Sequence, residues 1–296
     1  MGEYRDLQIL GVGRECGGRF GKVLIAGSGK LTGAVECEEF SVPGAGKVED
    51  GGLTVHGPIS CHGACKVEGS VSAQSLSVFG AFSTEADCLV QGDAEINGSL
   101  KTEGCYTVEG QVRVTGSVKS EGEFRCSGLK ISGVLKCEAP LRAEEITVTG
   151  ALKTESDVQA ERFHAEGPVT IDGELNADSV ELELIGESAI ESIVGGSVRI
   201  RCAAEGEAGQ NRGIHLHLNL NLPFLGSRRV DYDKVMRPHL AANLIEADEI
   251  ELEFTDSETV RGGNIRIGPE CVIDRAEYSG SLYVDPNASV REKVHI

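Results

Sequence analysis

The sequence predicts an all-β chain wound into a three-sided parallel β-helix, a solenoid of about 17–18 residues per turn. Three observations carry this. Seven glycines, Gly92, Gly98, Gly104, Gly110, Gly116, Gly122 and Gly128, recur every six residues. Apolar residues flank them with period two, as in Val108-Glu109-Gly110-Gln111-Val112 and Val114-Thr115-Gly116-Ser117-Val118. That alternation is a strand with one buried face. Beneath the six lies a longer period: Gly80, Gly98 and Gly116 are 18 apart, and Gly116, Gly133, Gly150 and Gly167 are 17 apart. Three six-residue sides make one turn, and stacked turns share an apolar interior with a rise of ~4.8 Å. Glycine suits the corners because it reaches positive φ without steric cost.

Composition fits this reading. The chain of 296 residues has 39 Gly, 40% hydrophobic residues, 4% aromatics and no Trp. A narrow interior of Val, Ile, Leu, Ala and Cys is expected, into which large rings fit poorly. A net charge of −19 repels nucleic-acid backbones and anionic lipid, which argues against a nucleic-acid function. Met1-Gly2-Glu3-Tyr4-Arg5-Asp6 lacks the apolar run of a signal peptide, and no stretch nears 18 apolar residues. Cys61, Cys65, Cys88, Cys126 and Cys137 share parity with the buried positions. They read as small core hydrophobes of a reduced, cytoplasmic protein.

In chain order, residues 1–21 form an irregular segment in which Leu7, Ile9, Leu10 and Val12 cap the coil end. The β-helix core spans 22–201, with clear alternation from Val23 and an unbroken run from Leu53 to Leu175. Ser179–Leu184 with Gly195-Gly196-Ser197-Val198-Arg199-Ile200 resembles Glu249–Phe254 with Gly262-Gly263-Asn264-Ile265-Arg266-Ile267, an internal repeat. Residues 244–296 therefore continue as β-helix-like turns with a C-terminal cap. Between the two copies lies an insertion, 202–243, that breaks the period and carries Arg212, Arg228, Arg229, Lys234 and Arg237.

Few residues invite chemistry. Gly27-Ser28-Gly29-Lys30-Leu31-Thr32 resembles a phosphate loop, but Leu24 and Leu31 stand where that motif needs Gly and Ser or Thr. His215 and His217, two apart, have no evident third metal ligand, and Cys61, Cys65, His56 and His62 read as structural. No catalytic, cofactor or metal site is expected. The candidate interface residues are Leu216, Leu218, Leu220, Leu222, Phe224 and Leu225 in the insertion, and Leu282, Val284, Val290 and Ile296 at the C-terminal end.

Val67-Glu-Gly-Ser-Val-Ser-Ala-Gln-Ser-Leu-Ser-Val-Phe-Gly80 resembles the bactofilins, polymer-forming cytoskeletal proteins of bacteria, and the likeness extends over roughly residues 23–175. It implies a right-handed coil that polymerises end to end without nucleotide and scaffolds partner proteins, often at the membrane. The chain departs from that family in its longer coil, its Gly-Gly unit, its insertion and its lack of Pro-rich tails. The expected function is thus a self-assembling structural scaffold, not an enzyme. Its partners are further copies of itself, client proteins and a peripheral membrane contact, with no nucleic acid. The alternatives are a non-polymerising adaptor acting through 202–243 and a hexapeptide-type transferase. The latter is disfavoured because the residue before Gly is usually polar rather than aliphatic.

Overall fold

The computed structural model describes residues 4–202 and 238–296. These form a parallel β-solenoid of about 15 turns with no helix among the described residues. At the inter-strand spacing, 15 turns make a rod about 70 Å long. Each turn runs along three sides. On side one, Leu7 pairs with Val23, Val23 with Phe40, Phe40 with Ile59 and Ile59 with Leu76. Side two carries Leu31, Val48 and Val67 inward; side three carries Leu53, Val71 and Cys88. These inward residues are at most 6% exposed and form one continuous core along the axis.

The six-residue glycine rhythm is the three corners visited in turn. Gly98 and Gly116 stack at the corner between sides one and two, where Gly27, Gly44, Gly63, Gly80, Gly133, Gly150 and Gly167 also stand. Positive φ is not the reason. Among the described glycines only Gly18 (φ 154°) and Gly33 (φ 97°) have it. Glycine is required because successive turns touch: a Cβ added to Gly116 would land on the carbonyl oxygen of Gly98.

Several expectations are corrected. The coil begins at Leu7, not near Val23. Leu7–Ile9 is side one of the first turn, and Val12–Ile25 carries the next two sides before re-entering side one. Leu10 and Val12, expected to cap the end, lie at its corner, 70% and 95% exposed. Large rings do enter the interior: Phe40, Phe82, Tyr106, Phe124 and Phe163 are fully buried. Small inward residues stand in the same turns as several of these rings, Ala94 with Tyr106 and Ala165 and Ala177 with Phe163. Turn length also varies more widely than 17–18, from 15 residues (Leu240 to Thr255) to 19 (Ala45 to Ala64). Register shifts on one strand absorb part of that variation, as between Cys37 and Phe40.

The expected insertion is shorter than 202–243. Glu187–Cys202 pairs directly with His239–Leu252, so Cys202 and 239–243 belong to the coil. Leu184 pairs with Cys202 and Glu187 with His239. The register thus resumes at His239 after Cys202, where Ile185 and Gly186 link the same two columns one turn earlier.

Candidate functional surfaces

Among the described residues, the buried cysteines are held in their thiol form. Burial pushes the thiols of Cys37, Cys88, Cys126 and Cys137 up to about 12, and those of Cys61 and Cys271 to about 11. A thiol that far from ionising is a poor nucleophile or metal ligand. Cys61 and Cys65 point inward while His56 and His62 are exposed. No cluster of three His, Cys, Asp or Glu that could hold a metal exists among the described residues.

The outer surface is organised in columns one turn apart. On side two, Lys30, Lys47 and Lys66 stack in register, as do Lys101, Lys119, Lys136 and Lys153, with Ser83 between the two groups. Two residues after most of these lysines stands a glutamate. Lys47 reaches Glu49 (2.6 Å) and Glu68 (2.8 Å), Lys119 reaches Glu121 (2.8 Å) and Glu138 (3.0 Å), and Lys136 reaches Glu138 (3.2 Å) and Glu155 (3.0 Å). Each lysine ties its own turn to the next. Hydrogen bonds from Lys30 and Lys47 hold the Glu49 carboxyl down at about 2, and Lys119 with Lys136 lowers Glu138. Lys30, the lysine of the phosphate-loop-like string, is thus a strand residue paired with Glu49.

Side one of the later turns alternates by charge. Glu181, Arg199, Glu251 and Arg266 stack one above another. Arg199 contacts Glu181 at 3.0 Å and Glu251 at 3.3 Å, while Arg201 also reaches Glu251 at 2.8 Å. This explains the internal repeat: Val180-Glu-Leu, Val198-Arg-Ile, Ile250-Glu-Leu and Ile265-Arg-Ile are successive turns of one column. His164 joins it through Glu166 (3.1 Å) and Glu181 (3.6 Å). Above Arg266 lies Tyr283, whose ring centre is 5.0 Å from the guanidinium carbon.

One strip stands apart. Around the glycine corner of the first turns run Leu10-Gly11-Val12, Ala26-Gly27-Ser28, Pro43-Gly44-Ala45, His62-Gly63-Ala64 and Phe79-Gly80-Ala81, without a single charge. Phe79 is 51% exposed and stacks on His62 with ring centres 5.0 Å apart. Beside the strip is a shallow groove of about 620 Å³. Gly13, Gly29 and Gly46 form part of its floor; Ile9, Ile25 and Val42 fill the space behind them, where side chains would otherwise stand.

At the ends, terminal strands pair on one edge only among the described residues: Leu7–Ile9 and Val12–Cys16 with the turn above, Leu282–Val284 and Ser289–His295 with the turn below. Arg5 and Asp6 cover part of the first edge, accepting hydrogen bonds from the N–H groups of Gly21 (3.1 Å) and Lys22 (2.8 Å). Of the expected interface residues, Leu282, Val284 and Val290 are partly buried against the core in the last turn, and Ile296 is 62% exposed. Leu216, Leu218, Leu220, Leu222, Phe224 and Leu225, with His215 and His217, lie outside the described residues. Sequence reasoning missed two charged residues in interior columns of the terminal turns, Glu15 in line with Leu31 and Lys293 in line with Ala276.

Fold and surface together define a β-solenoid whose lysines and arginines are, among the described residues, largely paired with carboxylates. No family model matches the chain, and no solved structure does. Two uncharacterized proteins of Bacillus subtilis (strain 168) are similar over short stretches. YhbE is 54% identical over 54 residues, 18% of this chain and 23% of that protein. YhbF is 35% identical over 69 residues, 23% of this chain and 29% of that protein. The chain thus spans less than a third of the length of either relative. No helix among the described residues is long and apolar enough to cross a membrane.

Proposed function

We propose that this chain is a cytoplasmic structural rod, not an enzyme, which joins copies of itself end to end without nucleotide and carries partner proteins along its sides. The observation that carries the reading is the pair of terminal turns, each with main-chain donors and acceptors on its outer edge and, among the described residues, no helix laid over it. Such edges are templates for strand addition. The likeness of residues 23–175 to the bactofilins supports the same reading.

The joint has a polarity. A joint between unlike ends continues the coil and brings Glu15 of one copy into the same narrow cross-section as Lys293 of the next. Like ends would bring Glu15 to Glu15 or Lys293 to Lys293, a repulsion that a low-dielectric joint magnifies. Both residues are solvent-exposed, and charges at a free edge also discourage indiscriminate pairing. Negative-stain microscopy of the purified protein without nucleotide is expected to give filaments of constant width. Glu15→Lys is expected to shorten them and Glu15→Lys with Lys293→Glu to restore them. Discrete rods of one molecule's length at every salt concentration would overturn the reading.

A further inference from the structure

We infer that the uncharged strip at the glycine corner of the first turns, with the groove beside it, is the surface on which two parallel copies of this chain pair side by side. The inference goes beyond end-to-end joining and stands without it. Each copy carries a net charge of −19, so most faces of one rod repel the same face of another. From Leu10 to Ala81 the corner has no charge, and three of the large exposed apolar side chains, Leu10, Val12 and Phe79, stand on it. A second copy is therefore the occupant whose charge the strip fits: it is where two acidic rods meet without opposing like charges.

The relief of the strip fixes the direction. Across it run one column (Leu10, Ala26, Pro43, His62, Phe79), then glycine, then a second column that is short beyond the first turn (Val12, Ser28, Ala45, Ala64, Ala81), then the tall Arg14 and Lys30 column. A twofold axis along the rods sets the first column of one copy on the second column of the other, so that Pro43, His62 and Phe79 meet Ala45, Ala64 and Ala81. Antiparallel rods would set tall on tall and lysine on lysine. In the parallel pair the lysine column faces the partner's Gln8, Leu24, Ser41, Ser60 and Ser77, which are uncharged.

Five turns by five residues is about 24 Å by 16 Å, or roughly 380 Å² per copy. The total, about 770 Å², belongs to weak and reversible association. A contact with no ion pairs between highly acidic partners tightens as salt screens their repulsion.

The test is small-angle X-ray scattering of the full chain, reading mass per unit length from micromolar to submillimolar protein, at low and high sodium chloride. The expected result is a rise towards twice the single-rod value with concentration and with salt. Ala45→Glu with Ala64→Glu should hold it at the single-rod value, while Ser72→Glu on side three should not. All three positions are solvent-accessible, and circular dichroism checks that the variants keep the coil. A wild-type value that stays at one rod throughout, or doubling that survives the two glutamates, would overturn the inference. Vesicles of phosphatidylserine and phosphatidylcholine that bind the wild type but not the double variant, with mass per length at one rod, would assign the strip to lipid and overturn it equally. End-to-end joining lengthens rods without changing mass per length, so the two readings fail separately.

Discussion

Tyr106 has a fully buried hydroxyl with no hydrogen-bond partner, in edge contact with Phe124 at 4.9 Å between ring centres. A buried unsatisfied polar group costs about 1–3 kcal/mol, so Tyr106→Phe is expected to raise the melting temperature. A lower melting temperature would mean that the hydroxyl has a partner such as an internal water. Gly116 makes the opposite case. Its φ is ordinary, yet a Cβ would strike the Gly98 carbonyl, and overpacking of this kind costs roughly 1–3 kcal/mol. Gly186, at the corner where the glycine column ends, has nothing within 4 Å of a built Cβ. Denaturant unfolding should therefore show Gly116→Ala less stable than wild type and Gly186→Ala unchanged or slightly more stable. Equal effects at the two glycines would contradict the carbonyl-contact account.

At the scale of a side, the lysine–glutamate columns link one turn to the next and make stability depend on acid. Glu49 has its folded pKa held at about 2 against an ordinary 4.5, first by Lys30 and then by Lys47, and Glu68, Glu121 and Glu138 are lowered by their lysines. Because the folded values are depressed, the contribution is complete above about 4.5 and disappears as pH falls towards 2. Wild type and Lys47→Met should thus differ in melting temperature at neutral pH and converge near pH 2. A gap that does not change with pH would refute the account. How much of this was legible in the sequence follows from what each feature depends on. Strand parity depends on neighbours two residues apart, so Val108, Val112, Val114 and Val118 were readable as inward directly. Ladders depend on which residues lie one turn apart, and turn length drifts from 15 to 19, so Glu181 beneath Arg199, and Arg199 beneath Glu251 across residues 203–238, needed the register first. The hydroxyls of Thr102, Ser120 and Thr154 were hidden for another reason. They are polar yet sit in interior positions, and each donates to the carbonyl two residues on, at 3.2, 2.9 and 3.1 Å. That bond lets a hydroxyl stand where parity calls for valine.

For the whole molecule, the candidate surfaces were less legible than the fold. The exposed strip looks like ordinary coil in sequence, because Leu10, Val12 and Phe79 become a patch only when turns one and five are brought onto one corner. Glu15 and Lys293 become a matched pair of ends only once the first and last turns are known. The two proposed contacts, at the ends and along one edge, use different residues, so variants at Glu15 and at Ala45 with Ala64 are each expected to act on one alone. The junction between Cys202 and His239 has a different consequence. Arg199 meets Glu251 as if nothing lay between them, so the winding keeps its phase across the residues that separate those two strands. The coil behaves as a thread pitch does, indifferent to an interruption at a single groove. Chain added or removed between Cys202 and His239 is therefore expected to leave every ladder above and below it in step.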